Sequence, residues 1–153
     1  IQYSAVDKDG YASTTFNLPL SVIFSTNHTP VVSNFIAPDT IFVPTSETDL
    51  ITVSVQATDQ EGLSDIKIVR MTIVDPNNNS IRSILRLYDD GGSVNVPEYN
   101  IPSGDATAGD GRYTLVIPVP TGTFRNINRD FNVFAIDQSD ESSNIITKRV
   151  WFK

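Results

Sequence analysis

Three segments of the chain carry one short pattern: Ala5-Val6-Asp7-Lys8-Asp9-Gly10, Ala57-Thr58-Asp59-Gln60-Glu61-Gly62 and Ala135-Ile136-Asp137-Gln138-Ser139-Asp140. Each ends a run in which apolar side chains recur at every second position, through Tyr3 and Ala5, Val55 and Ala57, and Val133 and Ala135. Period two puts successive side chains on opposite faces of a strand. Asp and Gly then turn the chain, because a short carboxylate bonds its own backbone two residues on and glycine tolerates the conformation that follows. A sequence that repeats strand-into-acidic-turn is constrained to an all-β, modular fold.

The rest of the chain keeps this period. Val31 opens a strand that runs to Ala37, and a short Ile41-Phe42-Val43 follows Pro38-Asp39. Ile51, Val53, Val55 and Ala57 alternate with Thr52, Ser54 and Gln56, which predicts one buried and one wet face. Residues 66–74 are more continuously apolar and suit a central strand, and Pro76 to Asn79 turn the chain into residues 81–88. Tyr113, Leu115, Ile117 and Val119 alternate, as do Phe131, Val133 and Ala135, and a last strand covers residues 145–152. No segment sustains the 3.6-residue period of a helix. Seven or eight strands in that order predict an immunoglobulin-like Greek-key β-sandwich, with Val53, Val55, Ile68, Leu87, Tyr113, Leu115, Ile117, Val133 and Ala135 in its core.

Domain organisation follows from where the alternation breaks. In residues 1–24, Ile1, Tyr3 and Ala5 and then Phe16, Leu18, Leu20, Val22 and Phe24 read as two strands, too few to bury a core alone. They are expected to be the last two strands of a preceding sandwich, to which residues 25–29 are the linker and residues 30–153 the complete domain. The chain opens at Ile1 inside a strand-like pattern, so the expectation is a piece of something longer.

Composition removes several classes of function. With 39% apolar residues among 153, a real core is affordable and disorder is not expected. The absence of cysteine excludes disulfides and thiolate metal sites. A net charge of −7 without any basic stripe speaks against nucleic acid, whose binding rests on neutralised phosphates. No apolar run of about eighteen residues and no amphipathic helix is present, so no direct membrane insertion is expected.

The succession Pro30 to Asn34, Ala37-Pro38-Asp39-Thr40, Val53 to Asp59, Gly62 to Ile66, Leu87 to Gly91, residues 103–113 and Phe131 to Asp137 with Ser143-Asn144 resembles a bacterial immunoglobulin-like or fibronectin-type-III-like module. The likeness covers nearly all of residues 30–153, and the acidic, glycine-rich residues 103–113 are its most specific part. Such modules occur in tandem in secreted enzymes and cell-surface lipoproteins. The resemblance implies an extracellular or cell-surface location in an exported bacterial protein and a non-catalytic role as structural or adhesive spacer. Its partners would be neighbouring modules of the same polypeptide, other copies of the chain, or surface glycans. It carries over no catalytic residue.

The residues themselves offer several candidate sites. His28 is the only histidine and lies in the linker, where a solvated side chain is the simpler reading. Asp89-Asp90 could be paired glycosidase carboxylates, but adjacent turn residues on a small sandwich bring no cleft with them. Tyr88, Tyr99, Tyr113, Phe124, Phe131, Phe134, Trp151 and Phe152 could include a sugar-stacking row, which would make the chain a carbohydrate-binding module appended to a secreted hydrolase; core packing accounts for most of them equally well. Asn27-His28-Thr29 and Asn78-Asn79-Ser80 match the glycosylation tripeptide, which carries no weight in a bacterial chain.

Acidic residues give the strongest lead. In an immunoglobulin-like topology the loops at one end would hold Asp59, Glu61, Asp65, Asp89, Asp90, Asp105, Asp110, Asp137, Asp140 and Glu141, ten of the sixteen carboxylates in residues 30–153. Calcium takes about six to eight oxygens, and loop carboxylates with backbone carbonyls supply them. The expected ligands are Asp59, Glu61, Asp105, Asp110 and Asp137, with Asp89 and Asp90 in reserve. Aspartate also starts turns without any metal, so both readings stand.

Overall fold

The computed structural model describes residues 2–17 and 26–153. The first of these is a hairpin in which β1 (Gln2–Tyr3) pairs antiparallel with β2 (Phe16–Asn17), and residues 4–15 between them are exposed. Leu18, Leu20, Val22 and Phe24, expected to continue its second strand, lie outside the described residues.

The remaining strands are β3 (Val31–Ile36), β4 (Thr40–Ile41), β5 (Asp49–Thr58), β6 (Ile66–Asp75), β7 (Ser80–Leu87), β8 (Asn95–Val96), β9 (Ile101–Pro102), β10 (Arg112–Val119), β11 (Ile127–Asp137) and β12 (Ile146–Phe152). One sheet has the order β10-β5-β3 and the other β4-β12-β11-β6-β7, with β8 and β9 forming a small separate hairpin. The chain changes sheets between β3 and β4, β4 and β5, β5 and β6, β7 and β10, and β10 and β11. Every pairing in the two sheets is antiparallel except β4 against β12. This is the Greek-key order of an immunoglobulin-like β-sandwich, as the alternation predicted.

Alternation builds the core directly. Val53, Val55 and Ala57 of β5 and Phe131, Val133 and Ala135 of β11 are at most 1% exposed and face each other across the sandwich with Leu115 and Leu87. Strand β6 departs from the expected phase. Ile66 is buried, but Ile68 is only half-buried, and Val69 and Met71 point inward in its place. The register against β11 slips between Ile136 and Asp137, and one extra residue in a period-two strand exchanges its faces. Tyr113 likewise packs on the core half-buried. The β8–β9 hairpin, in the long connection from β7 to β10, has no counterpart in the sequence reading because two-residue strands leave no period to see.

Register also places the loops. Thr58, the last residue of β5, pairs with Val31, the first of β3, while Asp137 at the end of β11 pairs with Ile66 at the start of β6. The connections 59–65, 88–111 and 138–145 therefore share one pole with the incoming residues 26–30. Asn144 fastens that pole: its side chain accepts from the Val32 amide and donates to the Val32 carbonyl, at 2.9 and 3.0 Å, tying β3 to the opposite sheet.

Candidate metal site at the acidic pole

Asp137 continues the inward phase of Phe131, Val133 and Ala135 and is fully buried. A buried carboxylate is costly unless its oxygens are bonded. Here Oδ1 accepts the amides of Ser139 and Glu141, both at 2.8 Å, and Oδ2 accepts the Asn27 side-chain amide at 2.8 Å. The Asn27 bond, chiefly, holds this carboxyl below the usual aspartate range, with the two backbone amides adding to it.

Two further carboxylates meet it from the connection between β5 and β6. Asp59 closes that loop by accepting the Glu61 amide on Oδ1 at 2.9 Å. Asp65 ends a single 3-10 turn, Leu63–Asp65, and its carbonyl accepts the Gln138 amide at 2.8 Å, which joins this loop to the one following β11. Asp59, Asp65 and Asp137 can each bring one oxygen within 4.8 Å of the others. Oδ2 of Asp59 and Oδ2 of Asp65 are both enclosed and have no hydrogen-bond partner among the described residues. Native proteins rarely leave such atoms unpaired. Burial pushes the Asp59 carboxyl above its ordinary value, and the charges of Glu61 and Asp65 push the same way.

Glu61 stands beside this group but faces the linker. Its Oε1 lies 2.6 Å from Nδ1 of His28 and its Oε2 accepts the His28 amide, and the imidazole bond holds its carboxyl low. His28 is thus the linker's second attachment to the pole, after Asn27. Asn27, His28, Thr29, Thr58, Asp59 and Glu141 line an open cleft between linker and pole.

The expected ligands in the long connection form a separate group. Asp89, Asp105 and Asp110 also approach within 4.8 Å of one another. Their oxygens are spent on the backbone: Asp89 accepts from the amides of Gly109, Asp110 and Gly111, Asp105 from those of Asp90 and Gly91 and from the Thr114 hydroxyl, and Asp110 from that of Arg112. Asp90 accepts from Gly92, Val94 and the Ser103 hydroxyl. These carboxylates do what turn chemistry asks of them, folding a glycine-rich loop around their own charge. Of the five expected ligands, Asp59 and Asp137 come together, Glu61 is adjacent, and Asp105 and Asp110 belong elsewhere. Asp65 joins the first two without having been singled out. The signal available was its position directly before the strand that pairs with β11.

The other candidates disperse. Phe131 and Phe152 are core, with ring centroids 6.4 Å apart, and Tyr88, Tyr99 and Tyr113 pack against it. Of the eight aromatic residues considered for sugar stacking, Phe124 and Trp151 are exposed, at 77% and 36%.

No protein-family model and no curated protein matches the chain. Among solved structures it is similar to the fibronectin(III)-like modules of Clostridium thermocellum CbhA, at 19% identity and a TM-score of 0.43 over 99% of this chain, which spans 60% of that one. It is similar at the same TM-score, 0.43, to the superoxide reductase (neelaredoxin) from Ignicoccus hospitalis, at 9% identity over 83% of this chain and 82% of that one. Likenesses this distant carry no functional argument.

Proposed function

We propose that the protein is a non-catalytic structural or adhesive spacer module of a larger exported bacterial surface protein, whose acidic pole takes a calcium ion between Asp59, Asp65 and Asp137. The observation that carries the metal is the pair of enclosed oxygens on Asp59 and Asp65 that have no partner among the described residues. Carboxylates that would repel each other become mutually compatible around a divalent cation, and backbone carbonyls of the converging loops complete an oxygen shell. Asn27 and His28 attach the incoming linker to the same loops, so an ion there would also stiffen the junction with whatever precedes the domain.

Thermal unfolding in millimolar calcium and in excess EDTA tests this. At free calcium about one hundred times its dissociation constant, linkage adds about 2.7 kcal/mol to the stability of the folded form. A higher midpoint with calcium, and heat of binding by calorimetry, is the expected result. Coincident midpoints with no heat would leave these carboxylates with loop formation alone.

A further inference from the structure

The hairpin at residues 2–17 repeats, bond for bond, the corner between β11 and β12. Gln2 pairs with Asn17 and Tyr3 with Phe16, as Asn132 does with Thr147 and Val133 with Ile146. The isolated bridge Val6 to Ala12 matches Ile136 to Ser142. The Asp7 amide donates to the Tyr11 carbonyl, Gly10 to Asp7 and Ser13 to Ala5, as Asp137 does to Glu141, Asp140 to Asp137 and Ser143 to Ala135. Oδ1 of Asp7 accepts the amides of Asp9 and Tyr11, as Oδ1 of Asp137 accepts those of Ser139 and Glu141. The Ser13 hydroxyl accepts from Ala5 at 2.9 Å and donates to the Thr14 carbonyl, and the Ser143 hydroxyl does the same with Ala135, at 2.9 Å, and Asn144. Gly10 and Asp140 hold positive φ, 88° and 65°, at the same point of the turn. Every correspondence has one displacement, 130 residues, as Asp7 is to Asp137.

The two copies differ in what covers them. Ala135 and Asp137 are fully buried, whereas Ala5 and Asp7 are exposed. In the domain, β6 pairs along the free edge of β11, and the core lies under its inner face. Nothing described does this for β1. The sequence carries the register on at the same displacement: Ile1 stands for Phe131, Leu20 for Val150 and Val22 for Phe152, apolar for apolar. The geometry points to this hairpin being the β11–β12 pair of a second sandwich, docking by the free edge of β1 and the Ala5 face onto the β6-type strand and core of a module of the same kind that lacks its own last two strands. Another copy of residues 30–153 is a poor acceptor, because its β6 edge is already paired with its own β11.

Two variants test this. In the full chain, residues 135–143 are replaced by the sequence of residues 5–13, which changes six positions: Ile136→Val, Gln138→Lys, Ser139→Asp, Asp140→Gly, Glu141→Tyr and Ser142→Ala. Equivalent corners predict a cooperative transition within about 5 °C of the parent; loss of cooperativity, or a fall of more than about 10 °C, would overturn the equivalence. In the second, a copy of residues 26–130 is joined directly ahead of Ile1 of the full chain, so that Ile1 follows Asp130 as Phe131 does. Hydrogen exchange should then slow at least about 100-fold at the amides of Asp7, Gly10 and Ser13, approaching Asp137, Asp140 and Ser143. One glycine inserted at the join reverses the strand's faces and should abolish the gain. Equal exchange in the two fusions, or protection already equal to that of Asp137 in the unfused chain, would overturn the docking.

Discussion

Asn27, in the segment entering the domain, donates at 2.8 Å to the carboxylate of Asp137, 110 residues further along the chain at the end of β11. The bond joins the Ser139 and Glu141 amides in satisfying a buried charge and fixes the direction from which the chain arrives. Sequence separation of this size makes the contact a product of the whole fold: it exists only once β5, β6 and β11 have brought their ends to one pole.

Replacing Asn27 by Ala should therefore act at both ends of the bond. The Asp137 carboxyl should titrate closer to the ordinary aspartate range, because its largest stabilising partner is gone, and the amides of residues 26–29 should exchange faster. Carboxyl-detected NMR titration and hydrogen exchange on one sample check both. An unchanged Asp137 titration with freely exchanging linker amides would mean that the two backbone amides alone hold this charge.

Asp65→Asn separates the cost of the carboxylate cluster from its use. Without calcium the variant should be as stable as the parent or more so, since one of three mutually repelling carboxylates is neutralised where Asp65 Oδ2 has no partner among the described residues to lose. With calcium the order should reverse, as the parent gains stability and the variant gains little. A variant whose midpoint rises with calcium as much as the parent's would place the ion elsewhere.

Strand identity was legible because the inward residues recur at every second position without interruption in β5, β10 and β11. The phase of β6 was not, since its slip against Ile136 and Asp137 is a property of the pairing, and Ile66 to Val74 offers apolar residues on both faces. The same limit applies to the site. The acidic pole could be read from topology, but which carboxylates spend their oxygens on backbone amides could not. Asp89 and Asp105 look in sequence like Asp59 and Asp137, and all four accept backbone amides; what sets the second group apart is the enclosed Oδ2 of Asp59 and of its neighbour Asp65, which find no partner among the described residues. The repeat at Asp7 and Asp137 was visible as a motif, while its identity at the level of hydrogen bonds needed coordinates.

Gly111 measures how tightly that long loop is seated. Its φ is +80°, and a β-carbon there would lie 2.7 Å from Nε2 of Gln56 and 3.0 Å from the carbonyl oxygen of Ala57, a residue of β5 paired with Val32 of β3. Gly109, with φ +73°, has open space around the same position. Both alanine variants bear the backbone strain, on the order of 1 kcal/mol, and Gly111→Ala should cost about 1–3 kcal/mol beyond it. Denaturant unfolding of the pair gives the difference directly, and equal losses would show that the loop moves aside freely.

Acid should unfold this protein through its paired carboxylates. Asp75 accepts the Asn77 amide and faces Arg82 and Arg129, Asp130 is gripped by Arg149 at 2.7 and 2.9 Å, and both are held below the ordinary aspartate value, as are Asp137 and Glu61. A depressed carboxyl binds its proton less readily folded than unfolded, so its contribution is complete above the unfolded value, about 4, and is lost as pH falls through the lower folded one. Asp59 has the opposite sign: its raised value favours the folded form at low pH, and that advantage disappears as pH rises through the folded value. Four groups against one give a net loss of stability below about pH 4. Melting midpoints measured from neutrality down to about pH 2.5 in EDTA should fall most steeply there. Asp75→Asn should flatten the fall and Asp59→Asn steepen it. A midpoint independent of pH across that interval would mean that these ion pairs and amide bonds are made as well by the unfolded chain.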